Sequence, residues 1–331
     1  MKISLLYIIF LAIIALTVSF AAYNLSPVAA IPGETKVFTV ARGQGLGQAS
    51  DKLKDSGLIR SPMIFKLYAF FTGNAHLLKP GVFEINSSES AAGILEKLVH
   101  GSADIEVTIL EGATLADIDN ILADNLIAES GTIKNFYVNA VRADYSFLGG
   151  SATLEGFLFP DTYKFSPMSG AESIVRKFLD NFAKKAWPAL RDAPDPYGKL
   201  VTASLIEKEV PDVGTDRAIV SGIIAKRLSL GMALQIDAAV LYAKCYGELL
   251  TCENNKLVRA DYSVKSPYNI YLNNGLPPTP IANPGAHAIF AALNPKKTNY
   301  LYYLSDPKTK KTIFSVDFDE HNDKRAKYLG L

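Results

Sequence analysis

Histidine and cysteine are scarce in this chain, net charge is nearly absent, and each scarcity removes a class of chemistry. The four histidines, His76, His100, His287 and His321, are isolated, with no HxxxH or HxH pair, so neither a metal site nor a metal cofactor is expected. His100, beside Gly101, reads as a structural residue at a helix end. Two cysteines are too few for a disulfide framework. Cys245 and Cys252 either close a short structural loop in an oxidising compartment or stand as two unpaired thiols. With 34 basic and 33 acidic residues the formal charge is +1, so no global field marks a nucleic-acid partner. No Walker loop or dinucleotide fingerprint is present. Gly43-Gln44-Gly45-Leu46-Gly47 lacks GxGxxG spacing and reads as a turn.

What is there suffices for large cores: 331 residues, 49% of them hydrophobic, fit two ordinary domains behind a leader. Ile3 to Ala22 is an uncharged run of 20 residues. At about 1.5 Å per residue it can cross a hydrocarbon layer of about 30 Å. Lys2 precedes the run and the next basic residue is Lys36, an asymmetry that places the bulk of the chain outside the cytoplasm. The length favours an uncleaved anchor at 1–23. A cleaved signal peptide is the alternative, with small residues at Ser19-Phe20-Ala21 and Val28-Ala29-Ala30. Residues 24–35, rich in proline and small residues, read as a linker.

An internal repeat follows. Phe38-Thr39-Val40-x-x-Gly43-x-x-Leu46, then Ala49 and Leu53, matches Val107-Thr108-Ile109-x-x-Gly112-x-x-Leu115, then Ile118 and Leu122. Each copy reads as a short strand, a glycine turn and an amphipathic helix. The pattern resembles the LysM peptidoglycan-binding module, and assigns 36–150 to a LysM-like region with two βα units. Two unrelated βα units are the plainer reading. Between the copies, Pro62 to Thr72 is apolar and aromatic, Gly81 to Ile85 reads as a strand, and Ser90 to His100 as a capped helix.

From Ser151 the chain becomes aromatic and dense in motifs. Spacing predicts helices over Ser173 to Trp187, Leu200 to Val210, Arg217 to Leu230, Asp237 to Tyr246 and Ala286 to Leu293. Prolines 188, 194 and 196 break the first, Pro211 ends or kinks the second, and Gly231 closes the third. Residues 265–285 carry five prolines and suit a rigid groove wall. Tyr300 to Leu304 and Thr312 to Val316 read as a hairpin joined by a Lys-rich turn.

The chemistry concentrates in Ser204-Leu205-Ile206-Glu207-Lys208-Glu209-Val210. On a helix Glu209 stacks on Leu205 and Ile206, whereas Glu207 lies over Ala203 and Ser204. A carboxyl against aliphatic side chains is desolvated and its pKa rises, as a general acid requires. A solvated Glu-Lys-Glu helix face is the plain alternative. Glu155-Gly156-Phe157-Leu158-Phe159-Pro160-Asp161-Thr162-Tyr163 sets aromatics between two carboxylates, a composition that suits a sugar groove and equally a buried strand with a turn. Gln235, Asn269 and Asn283 sit on later loops, each able to donate and accept.

Six segments in this order, EGFLFPDTY, SLIEKE, RLSLGMALQID, SPYNIY, GLPPTPIANPG and YLYYL, resemble the YceG-like (MltG) endolytic murein transglycosylases over nearly the whole chain. The resemblance implies Glu209 as the catalytic residue. Protonated Glu209 would donate to the oxygen between N-acetylmuramic acid and N-acetylglucosamine, then take a proton from the muramoyl C6 hydroxyl as it closes on C1. Val210 departs from the Thr or Ser common at that position in related enzymes, which removes a hydroxyl. Glu155, Asp161, Gln235, Asn269, Tyr271 and Asn283 are the expected substrate-binding residues. The implied partners are peptidoglycan strands, with peptidoglycan synthases as candidates, at the inner membrane. The expected fold is α+β: one transmembrane helix, LysM-like βα modules, then a mixed, largely helical catalytic domain at 151–331. A hydrolase pairing Glu209 with Asp161 or Glu155, and a non-catalytic murein-binding scaffold, are the other readings.

Overall fold

The computed structural model describes residues 2–29, 33–210, 215–253, 255–309 and 311–330. Met1 of the expected anchor, 30–32 of the expected linker, Pro211 and Lys310 of the hairpin turn lie outside the described residues. The chain forms two compact units. The first comprises 1–106, 125–129 and 164–170; the second comprises 107–124, 130–163 and 171–331. This division does not follow the expected 36–150 and 151–331 domains. The second copy of the repeat, with Leu115 and Ile118 buried, belongs to the unit that holds the C-terminal half of the chain.

In the first unit α1 (Lys2–Leu25) is followed by β1 (Thr35–Val40), α2 (Leu46–Asp55), α3 (Pro62–Phe71), β2 (Gly81–Asn86) and α4 (Ala91–His100). Residues 6–25 of α1 are long and apolar enough to cross a membrane, with a mean hydropathy of 2.3. β1 and β2 pair antiparallel, with Phe38 opposite Phe83 and Val40 opposite Gly81. Alternation turns Phe38, Val40, Phe83 and Ile85 inward onto Leu53, Phe65, Ile94, Leu95 and Leu98. Ser61 caps α3 with Pro62 in its first turn, and the Ser90 hydroxyl accepts from Gly93 N–H at 3.1 Å to start α4. The expected linker is partly structured: Leu25 packs on this core and Ala29 N–H donates to Ser87 C=O at 3.0 Å.

β3 (Ile105–Thr108) pairs with a strand far downstream, β4 (Thr162–Phe165), and the division between the units falls within both. Gly43 and Gly112 hold equivalent turns at φ +80° and +78°, which a glycine enters without strain. The copies then diverge. The first continues β1–α2–α3–β2, whereas in the second α5 (Leu115–Asp124) leads into 3₁₀ turns at Val138–Ala140 and Ser146–Leu148.

The second unit continues with α6 (Ala171–Lys185), α7 (Trp187–Leu190), α8 (Pro196–Glu209), α9 (Asp216–Ser229), α10 (Asp237–Lys244), α11 (Ala286–Leu293), the hairpin β5 (Tyr302–Ser305) and β6 (Thr312–Ser315), and α12 (Phe318–Leu329). Leu200 to Ile206 of α8 are buried without a break, so α8 is a central helix packed by α7, α9, α10 and α11. It begins four residues before the expected Leu200 because Asp195 accepts from Gly198 N–H at 2.9 Å, with Pro196 tolerated in the first turn. Cys245 and Cys252 form a disulfide. The loop it closes pins α5: Thr114 donates to Gly247 C=O, and Leu250 N–H donates to Asp117 at 2.9 Å.

Candidate active site

Glu207 and Glu209 leave the end of α8 in different directions and meet different surroundings. Glu207 lies in a buried ion pair with Arg217 at 2.7 Å and accepts Gly285 N–H at 2.9 Å, so both its oxygens are engaged. Lys208 donates to Gly112 C=O at 3.2 Å and is not Glu209's partner. Glu209, the last residue of the helix, reaches a cleft of about 710 Å³.

The cleft is lined by Gln235 and Asp237 beside Glu209, by Tyr262, Tyr271, Tyr302 and Tyr303, and by Arg227, His321 and Arg325. Tyr303 on β5 donates to Glu209 Oε2 at 3.1 Å. Burial raises the Tyr303 phenol well above its ordinary pKa, so it stays protonated as the donor. The backbone N–H of Ala238, in the first turn of α10, also favours the charged Glu209 carboxyl. Both groups favour the anion. Desolvation opposes them and is the larger effect, with the nearby Asp237 charge adding to it, so the Glu209 pKa is pushed up to about 7. A half-buried carboxyl that still opens to a cleft and titrates near neutrality can give and receive a proton.

Asp237 is held in place by two phenols: Tyr271 donates to Oδ1 at 2.6 Å and Tyr262 to Oδ2 at 3.3 Å. Arg227, crossing from α9, donates to Leu301 C=O and Leu234 C=O at 2.7 Å and lies 4.8 Å from the Tyr302 ring. It therefore ties β5 to the segment carrying Gln235. Gln235 itself has φ +54°, a left-handed conformation unusual for a side-chain-bearing residue, and its N–H donates to Ile270 C=O at 3.1 Å.

Of the expected residues, Glu209, Gln235 and Tyr271 share the cleft; the other four do not line it. Glu155 is buried at the N-terminus of α5. It accepts from Leu115 N–H at 2.9 Å, Tyr242 at 2.9 Å and Asn283 Nδ2 at 3.2 Å. Asn283 is equally buried, accepting Leu158 N–H at 2.8 Å and donating to Ala113 C=O at 2.9 Å. Both are core connectors whose polar atoms are already engaged by protein. Asp161 is paired with Lys185 and accepts from Asn181 at 2.8 Å; the Lys185 ammonium holds its carboxyl below the ordinary value. Asn269 is buried under the loop, donating to Tyr262 C=O at 3.0 Å and Val264 C=O at 2.8 Å and accepting Tyr271 N–H at 3.1 Å. It shapes the segment that presents Tyr262 and Tyr271.

The aromatic motif 155–163 is core as well. Phe157, Phe159 and Tyr163 are buried, and Phe157 stacks among Phe147, Phe182 and Tyr197. Of the residues that sequence reasoning missed, Asp237, Tyr302 and Tyr303 lie inside quoted segments and Tyr262 four residues before one. The signal available was the density of tyrosines in YLYYL; successive residues of a strand face opposite sides, yet Tyr302 and Tyr303, adjacent on β5, both line the cleft. A second depression of about 590 Å³, lined by Lys226, Ser229 and residues 295–299, has no carboxylate or aromatic side chain on its walls.

Comparison with known proteins gives a consistent picture. The YceG-like family profile matches residues 38–327. An endolytic murein transglycosylase of Bacillus subtilis (strain 168) is 30% identical over 92% of this chain and 88% of its own length. One from Streptococcus pneumoniae serotype 2 (strain D39) is 27% identical over 98% of this chain, which spans 64% of that protein's length. The 2.6 Å crystal structure of a yceG-like protein from Listeria monocytogenes superposes with a TM-score of 0.56 at 29% identity, covering 88% of this chain and 99% of that one.

Proposed function

The chain belongs to the YceG-like family, and from that premise we propose that it is an endolytic murein transglycosylase with Glu209 as its acid and base. The observation that carries the assignment is the Glu209 carboxyl, raised to about 7 by burial on a tyrosine-lined cleft. Protonated Glu209 donates to the β-1,4 glycosidic oxygen between N-acetylmuramic acid and N-acetylglucosamine as that bond breaks. The resulting carboxylate, steadied by Tyr303 and Ala238 N–H, takes the proton of the muramoyl C6 hydroxyl as its oxygen bonds to C1. One group serves twice, no water is consumed, and the product is a 1,6-anhydromuramoyl end. Gln235 and Tyr271 contact the sugar chain.

The first unit is read as a LysM-like glycan-binding module, supported by its β1–α2–α3–β2 order and antiparallel β1–β2 pair. With α1 as a single-pass anchor in the inner (cytoplasmic) membrane, the second unit works on the outer side. The Cys245–Cys252 bond suits that oxidising side. Nascent glycan strands are the substrate, and peptidoglycan synthases are candidate partners.

Mass spectrometry of digested murein tests the reaction. Anhydromuramoyl ends that disappear with Glu209→Gln are expected. Reducing muramoyl ends would instead indicate hydrolysis, for which Asp237 is the other carboxylate of the cleft.

A further inference from the structure

Both long faces of α3 are apolar, and only one of them is used by the fold. Phe65 and Ala69 are buried in the core of the first unit. Met63, Leu67, Phe70 and Phe71, at i, i+4, i+7 and i+8, form a second stripe left in solvent, with Phe70 68% and Phe71 81% exposed. The two phenylalanine rings meet edge to face, their centroids 5.9 Å apart. Few surfaces that are meant to stay wet carry such a cluster.

The position of α3 relative to α1 says what covers it. α1 packs against α3 and α4 within the same unit. Tyr23, in the last turn of α1, lies under the Arg60 guanidinium at 4.6 Å, and Arg60 donates to Pro27 C=O at 2.7 Å. Leu25 is packed on the core. The apolar helix therefore passes directly into a folded unit. An exposed tyrosine with an arginine at the end of an apolar span is the side-chain pair that settles at the headgroup level of a bilayer. Arg60 is two residues before α3, so α3 begins at that level. Its ten residues extend about 15 Å from there.

We propose that the Met63-Leu67-Phe70-Phe71 face of α3 is a membrane-docking surface, seated among the headgroups and upper acyl chains of the bilayer that α1 crosses. This rests on the anchor reading of α1. It adds a second contact, which makes the first unit a fixed base on the membrane rather than a module on a free tether. A helix lying in the interface buries its apolar side by about 5–10 Å, a depth that side chains of this size reach.

The test uses the full chain in phosphatidylcholine–phosphatidylglycerol vesicles at low protein-to-lipid ratio. Phe71→Trp is placed in a Trp187→Phe background, with Lys54→Trp in the same background as the water-facing control. Docking predicts blue-shifted emission from position 71, quenched by lipids brominated near the headgroup end of the chains and shielded from aqueous iodide. Position 54 should behave in the opposite way. Iodide quenching at 71 equal to that at 54 would overturn the proposal. Shielding from both quenchers would overturn it in favour of a second copy or another protein on this face. Flotation after alkaline carbonate washing reports α1 separately: a chain that floats with an iodide-accessible position 71 loses the docking surface but keeps its anchor. One that does not float loses the anchor reading itself.

Discussion

Glu155 and Glu209 are similar carboxyls in different settings. Each is desolvated, each accepts a hydrogen bond from a tyrosine and each has a neighbouring aspartate. Their pKa values are pushed up to about 8 and about 7, with burial the largest cause in both. Glu155 is closed in by Leu115, Tyr242 and Asn283, and nothing from solvent reaches it. Glu209 faces a cleft large enough for sugar rings. A raised carboxyl is therefore not a signature of catalysis. Access for a reacting atom distinguishes a carboxyl able to exchange a proton with a bound molecule from one that holds a helix in place.

The sharpest way to break this comparison is to remove each carboxyl in turn. Glu209→Gln is expected to lower release of soluble glycan by about 10²–10⁴-fold without lowering the thermal midpoint near neutral pH. Glu155→Ala should do the reverse at the level of folding. It strands several buried donors, at a cost of about 3 kcal/mol or more in unfolding experiments, and the folded remainder should keep its activity profile.

Tyr303→Phe comes next. It deletes one hydrogen bond to Glu209, worth about 0.5–1.5 kcal/mol and so about 2- to 13-fold in kcat/KM. Because that bond lowers the Glu209 pKa, its loss moves the alkaline limb of the rate profile, near pH 7 in the parent, to higher pH. Asp237→Asn removes a charge that raises the same pKa, so its limb moves to lower pH. Limbs moving in the same direction in both variants would refute the electrostatic account of the site.

The same pKa shifts also act on stability against pH. Both carboxyls bind their proton more tightly folded than unfolded. Each therefore adds stability that is full below the unfolded value near 4.5 and is lost as pH rises to about 7 for Glu209 and about 8 for Glu155. Each contributes a slope of at most about 1.4 kcal/mol per pH unit. Glu209→Gln should flatten the decline in urea midpoint up to pH 7 and leave that between 7 and 8 intact.

Much of the local structure was legible in the residues. The uncharged run lies within α1, and the repeat with its two left-handed glycines gives strand, turn and helix in both copies. The helix over Ala286 to Leu293 and the hairpin near 302–315 emerge within a residue or two of the expected bounds. Of the glutamate pair, Glu209 lines the cleft and Glu207 is ion-paired with Arg217; Leu205 and Ile206 are only part of the surroundings of Glu209. Tyr303, Asp237 and Ala238 come from segments 28 to 94 positions away in the chain.

Periodicity determined those elements because it depends on neighbours within a turn or a pleat, which the sequence states directly. It also marked the glutamate pair, the aromatic motif and the amide-bearing loops as unusual. Which of these face a cleft was decided only by tertiary structure. Glu155 and Asn283 are 128 positions apart and satisfy each other in the core, whereas Tyr262 and Tyr271 close on Asp237 at the cleft wall. A polar or aromatic residue suits a binding site and a buried junction equally well. Its role depends on whether a long-range partner or solvent occupies the space beside it, and that is set by how the helices pack around α8.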